Sequence, residues 1–491
     1  MRSLRLFFQC LVGVVVVVSL RSNWQYLQSE GDGPVPEQML VEPVPIGVAA
    51  NTTISQYANS TATGHQGNDF SSETKTRSHL TPSILTSNDT AKLRFFLVAP
   101  YDYTSGFLAD RTNRASAYYQ NHLNEESAEI WLHRGFAHMS YDQGQTQNPT
   151  EANVVLIAGY FHLNAAIHRT KGNGRATAVE HSRIFQMYET ELERIHGGNS
   201  NAKKKPHLLL IPSWNPSVAQ GIGLKPLAKH LQQKGYSNLW SVGFERNAQW
   251  QGIPVERILP IPYVVRPDQT TLATSNTLLG RVSNFVFFAG DVRRNAQGWA
   301  GCHRHAIILP LKNSSSDLFD VRLVTKRNRL DQTEYNQRMQ TSDYCLILCG
   351  DTPSSRSLTS AMISGCIPIR VGSRLRGLCE PPCHGGFGWK PTGSEYPHLP
   401  YPERIPWDIF PEVNEQRFMA AGEQVLEELF QDFDERRKME IRFVMDSVRK
   451  GWIYGWGDPV NSTSFGDATH YIWHSFASTL HDTRSGNSNS N

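Results

Sequence analysis

Short apolar runs separated by long polar stretches mark the first half of the folded region. The runs LRFFLV at 93–98, NVVLIAG at 153–159 and HLLLIP at 207–212 each end at turn residues, and 179–195 has a helical pattern. Near-continuous apolar runs of this length are typical of parallel strands that helices cover on both faces. The pattern therefore predicts a first α/β domain that begins near Leu93.

A second series of apolar runs begins near residue 282 and alternates with helical patterns at 333–342 and 354–364. This alternation favours a doubly wound sheet. Because the segment 265–280 between the two series is polar and aperiodic, we predict two Rossmann-like α/β domains facing a cleft, at 91–270 and 271–478. The four runs are NFVFFAG (284–290), FDVRLVT (319–325), YCLILC (344–349) and CIPIRV (366–371).

The first 21 residues contain an uncharged, mostly apolar run from Leu6 to Leu20, preceded by Arg2 and Arg5. Its length suits either a signal-peptide core or a short membrane anchor. We favour an uncleaved signal anchor over 1–21 because no Ala-x-Ala cleavage site follows, and a cleaved signal peptide is the alternative. Both interpretations place the rest of the chain in the secretory lumen.

The segments outside the predicted domains have the composition of exposed, unstructured chain. Residues 22–90 are rich in Ser, Thr, Asn, Gly and Pro and predict a flexible stem, and 479–491 predicts a disordered tail. Five N-x-[ST] triplets predict N-glycosylation sites. They begin at Asn51, Asn59, Asn88, Asn313 and Asn461.

Charge and cysteine content narrow the function classes. The chain has 48 basic and 45 acidic residues, and no basic stripe with interleaved aromatic residues occurs, so no nucleic-acid partner is expected. Of seven cysteines, Cys10 lies in the apolar segment and the other six lie in the second half. An even number makes disulfides plausible but leaves their pairing open. No second pair with zinc spacing accompanies Cys379 and Cys383, and we expect no metal site.

The stretch GDTPSSRSLTSAMISGCIPIRVGS at 350–373 carries the most specific chemistry. The strand before it should end at the carboxyl edge of the second sheet, where open α/β sheets bind ligands. Thr352 is a fair N-cap with Pro353 at the first helical position. Arg356 in the first turn adds a guanidinium to the backbone N–H groups of a helix N-terminus, which suits a phosphate. The alternative is an ordinary turn with a solvated arginine.

This stretch resembles the signature of the exostosin-like glycosyltransferases, family 47 of the glycosyltransferases. Flanking matches follow the family's order: NPTEANVVLIAGYF at 148–161, ILPIPYV at 258–264, VFFAGDVR at 286–293 and DATHYIWHSF near 467. The residues that match the central signature are Cys345, Leu346, Gly350, Ser355, Arg356, Gly365, Cys366, Ile367, Pro368 and Ile369.

The resemblance implies a GT-B type fold, a single-pass type II Golgi membrane protein and an inverting transfer from a nucleotide diphosphate sugar, which we expect to be a UDP-sugar, to a glycan. It implies that Arg356 neutralises the diphosphate, with the amides of Ser354 and Ser355 assisting. It also implies that Gly290 lets the chain approach the donor and that Arg293 is a second phosphate ligand. Enzymes of this type generally need no metal or other cofactor.

One position departs from the family pattern. Ser360 stands where the family usually carries an acid, which is a natural acceptor for ribose hydroxyls. A serine can form hydrogen bonds but carries no charge. This departure supports a second hypothesis, a catalytically inactive lumenal glycan-binding protein that keeps the fold. An oligomer with another glycosyltransferase is also considered.

Two residues are candidates for the general base that an inverting transfer needs. Asp102 follows the strand 93–98 and His162 follows the strand 153–159, so both are expected at the cleft. Neither comes from a family motif, and each has a structural alternative: a turn cap for Asp102 and a hydrogen-bonded core residue for His162.

Four aromatic residues crowd the segment after the predicted site: Trp389, Tyr396, Tyr401 and Trp407. They could form a sugar-stacking lip or could pack a long irregular loop, and we favour packing.

Overall fold

The computed structural model describes eleven ranges of the chain. These are 93–100, 128–159, 174–212, 224–244, 252–264, 281–290, 301–324, 330–348, 355–371, 399–454 and 468–486. The predicted anchor at 1–21 and the predicted stem at 22–90 lie outside them. The prediction of a disordered tail at 479–491 is wrong for residues 479–486, which continue the helix Ala468–Gly486 and bury Leu480. Residues 487–491 lie outside the described ranges. Within these ranges, no helix combines the length and the apolar composition needed to cross a membrane.

The first sheet has five parallel strands in the order β1-β2-β3-β4-β5. Its strands are β1 Phe95–Val98, β2 Val154–Ala158, β3 His207–Leu210, β4 Leu239–Gly243 and β5 Ile258–Pro260. The helices in this part of the chain are α1 Ala128–His138, α2 Gly174–His196 and α3 Leu224–Gln233.

Alternate side chains of these strands enter two different hydrophobic clusters. In β2, Val154 and Leu156 belong to one cluster, and Val155 and Ile157 belong to the other. Successive side chains of a strand point to opposite faces of the sheet. The continuous apolar runs of the sequence therefore arise because both faces of this sheet are buried.

The second sheet also has five parallel strands, in the order β10-β9-β8-β6-β7. Its strands are β6 Val282–Gly290, β7 Phe319–Leu323, β8 Ser342–Ile347, β9 Ile367–Val371 and β10 Glu412–Val413. Its helices are α4 Gly301–Asn313, α5 Gln332–Thr341, α6 Arg356–Ser364, α7 Glu415–Ala421, α8 Gln424–Asp432 and α9 Glu435–Val448. Short 3-10 turns lie at Tyr141–Gln143, Ala202–Lys204, Val255–Arg257, Trp407–Ile409 and Arg449–Trp452.

The prediction of an α/β protein with two parallel sheets is confirmed, and the predicted runs coincide with strands in both series. The boundaries of the two predicted domains stay a prediction, since the break at 265–280 lies outside the described ranges. One compact unit contains both sheets, and one hydrophobic cluster includes side chains from each of them.

The last helix, α10 (Ala468–Gly486), packs back on the first sheet. The Trp473 ring meets Phe95 of β1 with centroids 4.8 Å apart, and Phe476 meets Trp240 of β4 at 5.4 Å. The last described helix thus packs on the sheet that contains the first described strand, although sequence order placed this helix in the predicted second domain.

Two hydrogen bonds join the segment after β5 to the second half of the chain. The Tyr263 N–H donates to Thr359 Oγ1 of α6 at 3.2 Å, and the Tyr454 hydroxyl donates to the Pro262 carbonyl at 2.8 Å. The Tyr263 ring also stacks on Phe244 at 4.4 Å. The exit of the first sheet is therefore fixed to the helix that carries Arg356.

A buried pair of histidines connects the end of α2 to the start of β3. The Nε2 atoms of His196 and His207 are 3.1 Å apart, and His207 Nδ1 lies 2.6 Å from the Lys205 carbonyl. Because His207 Nδ1 must donate to that carbonyl, its Nε2 is the acceptor and His196 donates. Burial lowers the pKa of His196 to about 4 and that of His207 to about 3, and the charges of neighbouring lysines lower the pKa of His196 further.

We expect the free energy of unfolding to fall on acidification. The folded-state pKa values lie below the ordinary value of 6.5, so the unfolded chain binds protons first, and the stabilisation is present above pH 6.5 and lost as pH falls towards about 4. The limiting slope for a fully buried histidine is about 1.4 kcal/mol per pH unit. Melting temperature measured from pH 7.5 to pH 4.5 should show this decline.

The matched variant is His207→Asn, because an asparagine amide can keep the donor to the Lys205 carbonyl but cannot ionise. Its melting temperature should depend less on pH than that of the wild type. Equal slopes for the two proteins would show that this pair does not control the acid response.

Candidate functional site

The topology of the second sheet defines one crevice at its carboxyl edge. Numbered within the sheet, its strands lie in the order 2-1-3-4-5. The order in which successive strands are added to the sheet therefore reverses between the first strand, β6, and the third, β8. Ligands of open α/β sheets bind outside the carboxyl ends of the strands at such a switch point. Gly290 ends β6, and α6 follows β8. The topology therefore brings the ends that bear Gly290 and Arg356 to one crevice.

A disulfide encloses the helix that carries Arg356. Cys345 in β8 and Cys366 just before β9 are bonded, with their Cα atoms 5.7 Å apart and a sequence separation of 21. The closed loop contains the whole of α6. This pairing resolves part of the cysteine arrangement that the sequence left open. Cys379 and Cys383 lie outside the described residues.

The C-terminal end of α6 is fixed by Arg281, which precedes β6. Its guanidinium donates to the Ser364 carbonyl of α6 at 2.6 Å and to the carbonyls of Ser342 at 2.5 Å and Met339 at 3.2 Å. Burial lowers the pKa of Arg281 to about 10. The side chain thus joins the C-terminal ends of α5 and α6.

Gly365 fits this arrangement for two reasons. It has φ +73° and ψ 14°, the left-handed conformation that favours glycine at a helix end. A Cβ atom at this position would also lie 2.9 Å from Arg281 Nη2. The Gly-Cys pair of the signature is therefore part of the scaffold, because Gly365 allows the helix end and Cys366 forms the disulfide.

The predicted start of α6 is wrong. The helix begins at Arg356 with Ser355 as its N-cap, whereas the sequence favoured Thr352 as the cap and Pro353 as the first helical residue. Ser355 has φ −142° and ψ 127°, an extended conformation that a helix running from Pro353 could not contain. The Ser355 side chain makes no capping hydrogen bond.

Arg356 is consequently the first residue of α6, and its guanidinium lies nearer to the helix end than the sequence predicted. The N–H groups of the first turn have no partners within an α-helix, and they form the positive end of the helix dipole. A half-buried arginine at this point adds a full positive charge. The combination suits an anion at the carboxyl edge of the sheet.

Ser360 lies one turn further along α6 and is 2% exposed. The Tyr335 hydroxyl of α5 forms side-chain hydrogen bonds with both Ser357 and Ser360. Burial raises the pKa of Tyr335, while these hydrogen bonds and the charge of Arg356 act in the opposite direction. At the position where the resemblance led us to expect an acid, the Tyr335 hydroxyl therefore pairs with two serine hydroxyls beside an arginine.

Sequence reasoning missed Tyr335. It is the one aromatic residue in QTEYNQRMQT, a strongly polar helix, and that isolation was the available signal. The helix period alone could not show which neighbouring helix its hydroxyl meets. Packing of α5 against α6 on the same face of the sheet decides that contact.

The buried charges at the other end of β8 are structural. Asp343 near the start of this strand accepts from Lys438 Nζ at 2.9 Å and from Arg442 Nη2 at 2.5 Å, and all three side chains are largely buried. The amino ends of parallel strands lie opposite the ligand-binding edge. This cluster fastens α9 to the sheet and does not contribute to the crevice.

Gly290 has a packing role in the structure. A Cβ atom at this residue would lie 2.7 Å from the ring of Phe288, so a larger residue would displace a buried aromatic side chain. Its carbonyl accepts from the Val324 N–H at 2.9 Å. The proposed approach of this residue to the donor stays a prediction.

Several predicted site residues lie outside the described ranges. Among the glycosylation candidates, Asn313 is described; it is exposed at the end of α4, where a glycan can be attached. The residues outside the ranges are Asp102, His162, Arg293, Ser354, Asn51, Asn59, Asn88 and Asn461.

The Asp432-Phe-Asp434 triplet is not arranged as a metal site. Asp432 ends α8, and Asp434 caps α9 by accepting from the Arg437 N–H at 2.8 Å. Both aspartates are exposed. In the described part of the chain, no group of three or more His, Cys, Asp or Glu residues could hold a metal ion.

The packing interpretation is correct for the two described aromatic residues of the predicted lip. Tyr401 is fully buried and donates to the Gly451 carbonyl at 2.7 Å. Trp407 is buried, and its Nε1 donates to the Pro400 carbonyl at 3.2 Å. Trp389 and Tyr396 lie outside the described ranges.

Asn148 and Asn153, which lie in the matched segment 148–161, organise local backbone. Asn153 Oδ1 accepts from the Arg94 N–H at 2.9 Å, which joins the starts of β1 and β2. Asn148 Oδ1 accepts from the Thr150 N–H at 3.0 Å. Both contacts need only an acceptor oxygen, so an uncharged side chain is sufficient for them.

The structure has two parallel sheets with helices, and a helix that begins with an arginine lies at the switch point of one of them. Both features agree with the two-domain GT-B type architecture. Comparison with protein families identifies the group: the model of the Exostosin GT47 domain matches residues 99–411, more than half of the chain. The chain belongs to the exostosin GT47 family. A comparison with curated proteins gave no significant match. Family membership indicates glycosyltransferase activity.

We predict that removing the disulfide weakens the site scaffold. The double variant Cys345→Ser/Cys366→Ser frees a loop closed across 21 residues, and chain entropy puts the loss near 3 kcal/mol. Its melting temperature should fall by several degrees, as measured by calorimetry of the oxidised protein. The difference from wild type should disappear when both proteins are reduced. If the variant and the oxidised wild type have the same melting temperature, this bond does not stabilise the fold.

Proposed function

We propose that the protein is an inverting glycosyltransferase that moves a sugar from a nucleotide diphosphate sugar, most simply a UDP-sugar, to a glycan acceptor. The observation that carries the proposal is Arg356 as the first residue of α6 at the switch point of the second sheet. Charge develops on the diphosphate as the bond to the sugar breaks. A guanidinium and backbone N–H groups fixed beside it stabilise that charge.

The proposed reaction is a single displacement. The oxygen of an acceptor hydroxyl forms a bond to the anomeric carbon while the bond from that carbon to the diphosphate oxygen breaks, and the acceptor proton passes to a general base. Asp102 and His162 are our candidates for that base. Arg356 receives the diphosphate as the leaving group, and Ser354, Ser355 and Arg293 are further candidate contacts. We expect no metal to be needed.

The hydroxyl groups of Tyr335, Ser357 and Ser360 affect how the ribose of the proposed donor is recognised. A site built to bond a substrate hydroxyl rejects analogues that lack it, because its own buried groups are then left unpaired. Here the Tyr335 hydroxyl pairs with the hydroxyls of Ser357 and Ser360. We infer that this part of the site contributes little to recognition of ribose and that the diphosphate supplies most of the donor affinity.

A lumenal location in the Golgi, with a type II membrane anchor, is part of the same proposal. Disulfides form and persist in oxidising compartments and are rare in the cytosol. The Cys345–Cys366 bond supports passage through the secretory pathway, and the exposed Asn313 sequon is compatible with it. The apolar run from Leu6 to Leu20 is the proposed anchor.

A catalytically inactive glycan-binding protein is the second candidate function. The observation in its favour is Ser360, whose hydroxyl is bonded to Tyr335 and which provides no carboxylate at the nucleotide site. A protein that binds only glycans has no need of a site for a nucleotide diphosphate at α6. Nucleotide binding therefore separates the two functions.

We predict that UDP raises the melting temperature of the full-length protein, with or without manganese. At 100 times its dissociation constant a ligand stabilises by about 2.7 kcal/mol, so modest affinity is measurable. Arg356→Ala should remove the UDP shift and leave the melting temperature without nucleotide nearly unchanged. Arg417→Ala, an exposed arginine paired with Glu428, is the control.

A protein that melts cooperatively but does not respond to UDP, GDP, CMP or ADP would contradict the transferase and favour the glycan-binding function. If Arg356→Ala unfolds the protein, the arginine is structural. A shift that requires manganese and disappears with EDTA would contradict the expectation that no metal is needed.

We also predict that UDP and 2′-deoxy-UDP bind within about threefold of each other, whereas UMP binds at least about tenfold more weakly than UDP. The reason is the mutual pairing of the three hydroxyls beside Arg356. Isothermal titration of the three nucleotides measures the ratios. Strong UDP binding with much weaker binding of the deoxy analogue would contradict only the inference about ribose, because the transferase proposal requires UDP binding alone.

A further inference from the structure

The outer face of α9 exposes two large apolar side chains one turn apart. Met439 is 61% exposed and Phe443 is 71% exposed. They lie on the face opposite Ile441 and Met445, which are fully buried against the sheet. Apolar side chains three or four residues apart on a helix form one continuous surface. Exposed contiguous apolar surface often marks an interaction site.

Charged residues of opposite sign flank this pair along the same stripe. Arg436 precedes Met439 by three residues and its side chain is 82% exposed. Asp446 follows Phe443 by three residues and its side chain is 49% exposed. The spacing of three, four and three residues keeps all four side chains on one face of the helix. We call these four residues the α9 stripe.

We propose that the α9 stripe binds the same stripe of a second copy of this chain, with the two helices antiparallel. In such a pair centred on Ile441, residues equally far from the centre on opposite sides lie at the same level. Met439 then meets Phe443 of the second copy, and Arg436 meets Asp446 of the second copy. Both contacts occur twice by symmetry, as in an isologous interface.

The charge pattern favours a second copy over other partners. Arg436 and Asp446 already bond within the chain, to Glu440 at 3.3 Å and to Arg449. Exposed ion pairs of this kind contribute little, so exchanging them for contacts between copies costs little. The acids on this face, Glu435, Glu440 and Asp446, do not favour an anionic membrane surface.

The contact is small. The helix has 14 residues, and one such helix per copy provides less than the roughly 1,200 Å² of a standard stable interface. We therefore expect a weak, rapidly exchanging dimer that is populated at high protein concentration. This inference does not depend on the proposed enzymatic function.

Sedimentation equilibrium of the full-length protein over a range of concentrations tests the contact. Phe443→Ser should weaken association at least about tenfold, as for an aromatic residue at the centre of an interface. Tyr141→Ser is the matched control, because Tyr141 is also a large exposed apolar residue at 56% and lies outside α9. Association of the control should equal that of the wild type. All variants contain the predicted anchor, so any association through the anchor is the same in each and does not change the comparison.

A charge exchange tests the antiparallel arrangement. Arg436→Asp and Asp446→Arg should each weaken self-association, because each places like charges opposite each other. In an equimolar mixture, each copy of one variant meets a complementary residue on the other at both ends, so association should return to the wild-type level. Circular dichroism and melting temperature confirm that each variant is folded.

Three outcomes would overturn the proposal. The first is that the wild type remains monomeric at every concentration, which excludes self-association through the stripe. Alternatively, the wild type associates but Phe443→Ser leaves that association unchanged, or weakens it no more than Tyr141→Ser does. Finally, the two charge variants fail to restore each other in the mixture, which excludes the antiparallel pairing.

Discussion

The fixed position of α6 is the constraint on which the candidate site depends. The Cys345–Cys366 bond holds the strands on either side of this helix together, and Arg281 joins its last carbonyl to the C-terminal end of α5. A helix fixed at its C-terminal end presents its N-terminus at a defined place. That place is the carboxyl edge of the sheet beside β6, where an anion meets both the helix dipole and Arg356.

The family signature divides into scaffold and chemistry when its residues are placed in the structure. Gly365 permits the left-handed turn and the close approach of Arg281, and Cys366 forms the disulfide. Arg356 alone carries a charge suited to the proposed donor. A retained signature is thus evidence of the fold first and of activity second, and at Ser360, where the resemblance led us to expect an acid, the structure has a serine paired with Tyr335.

The same helix couples the site to the first sheet. Thr359, next to Ser360, accepts from the Tyr263 N–H, and Tyr454 bonds the adjacent Pro262 carbonyl. Helix α10 then returns to pack Trp473 on Phe95. These contacts connect the first sheet to α6, and the proposed donor site lies within one turn of Thr359.

The sequence by itself determined the strands, most helices and the family, because those features are local. Apolar runs of four to seven residues are buried wherever they pair, and the signature is read residue by residue. It placed Gly290 at the end of a strand and Arg356 in the first turn of the helix that follows another strand. It could not choose among the cysteine pairings. It also could not locate the start of α6, because the extended conformation of Ser355 overrides the local preference for a helix that begins at Pro353. Only the tertiary structure decided that the Tyr335 hydroxyl reaches Ser360, that α10 returns to the first sheet and that Met439 and Phe443 stay exposed. Each of these three features depends on which helices and strands pack together. The pattern of apolar side chains along one helix or strand does not identify the element that packs against it.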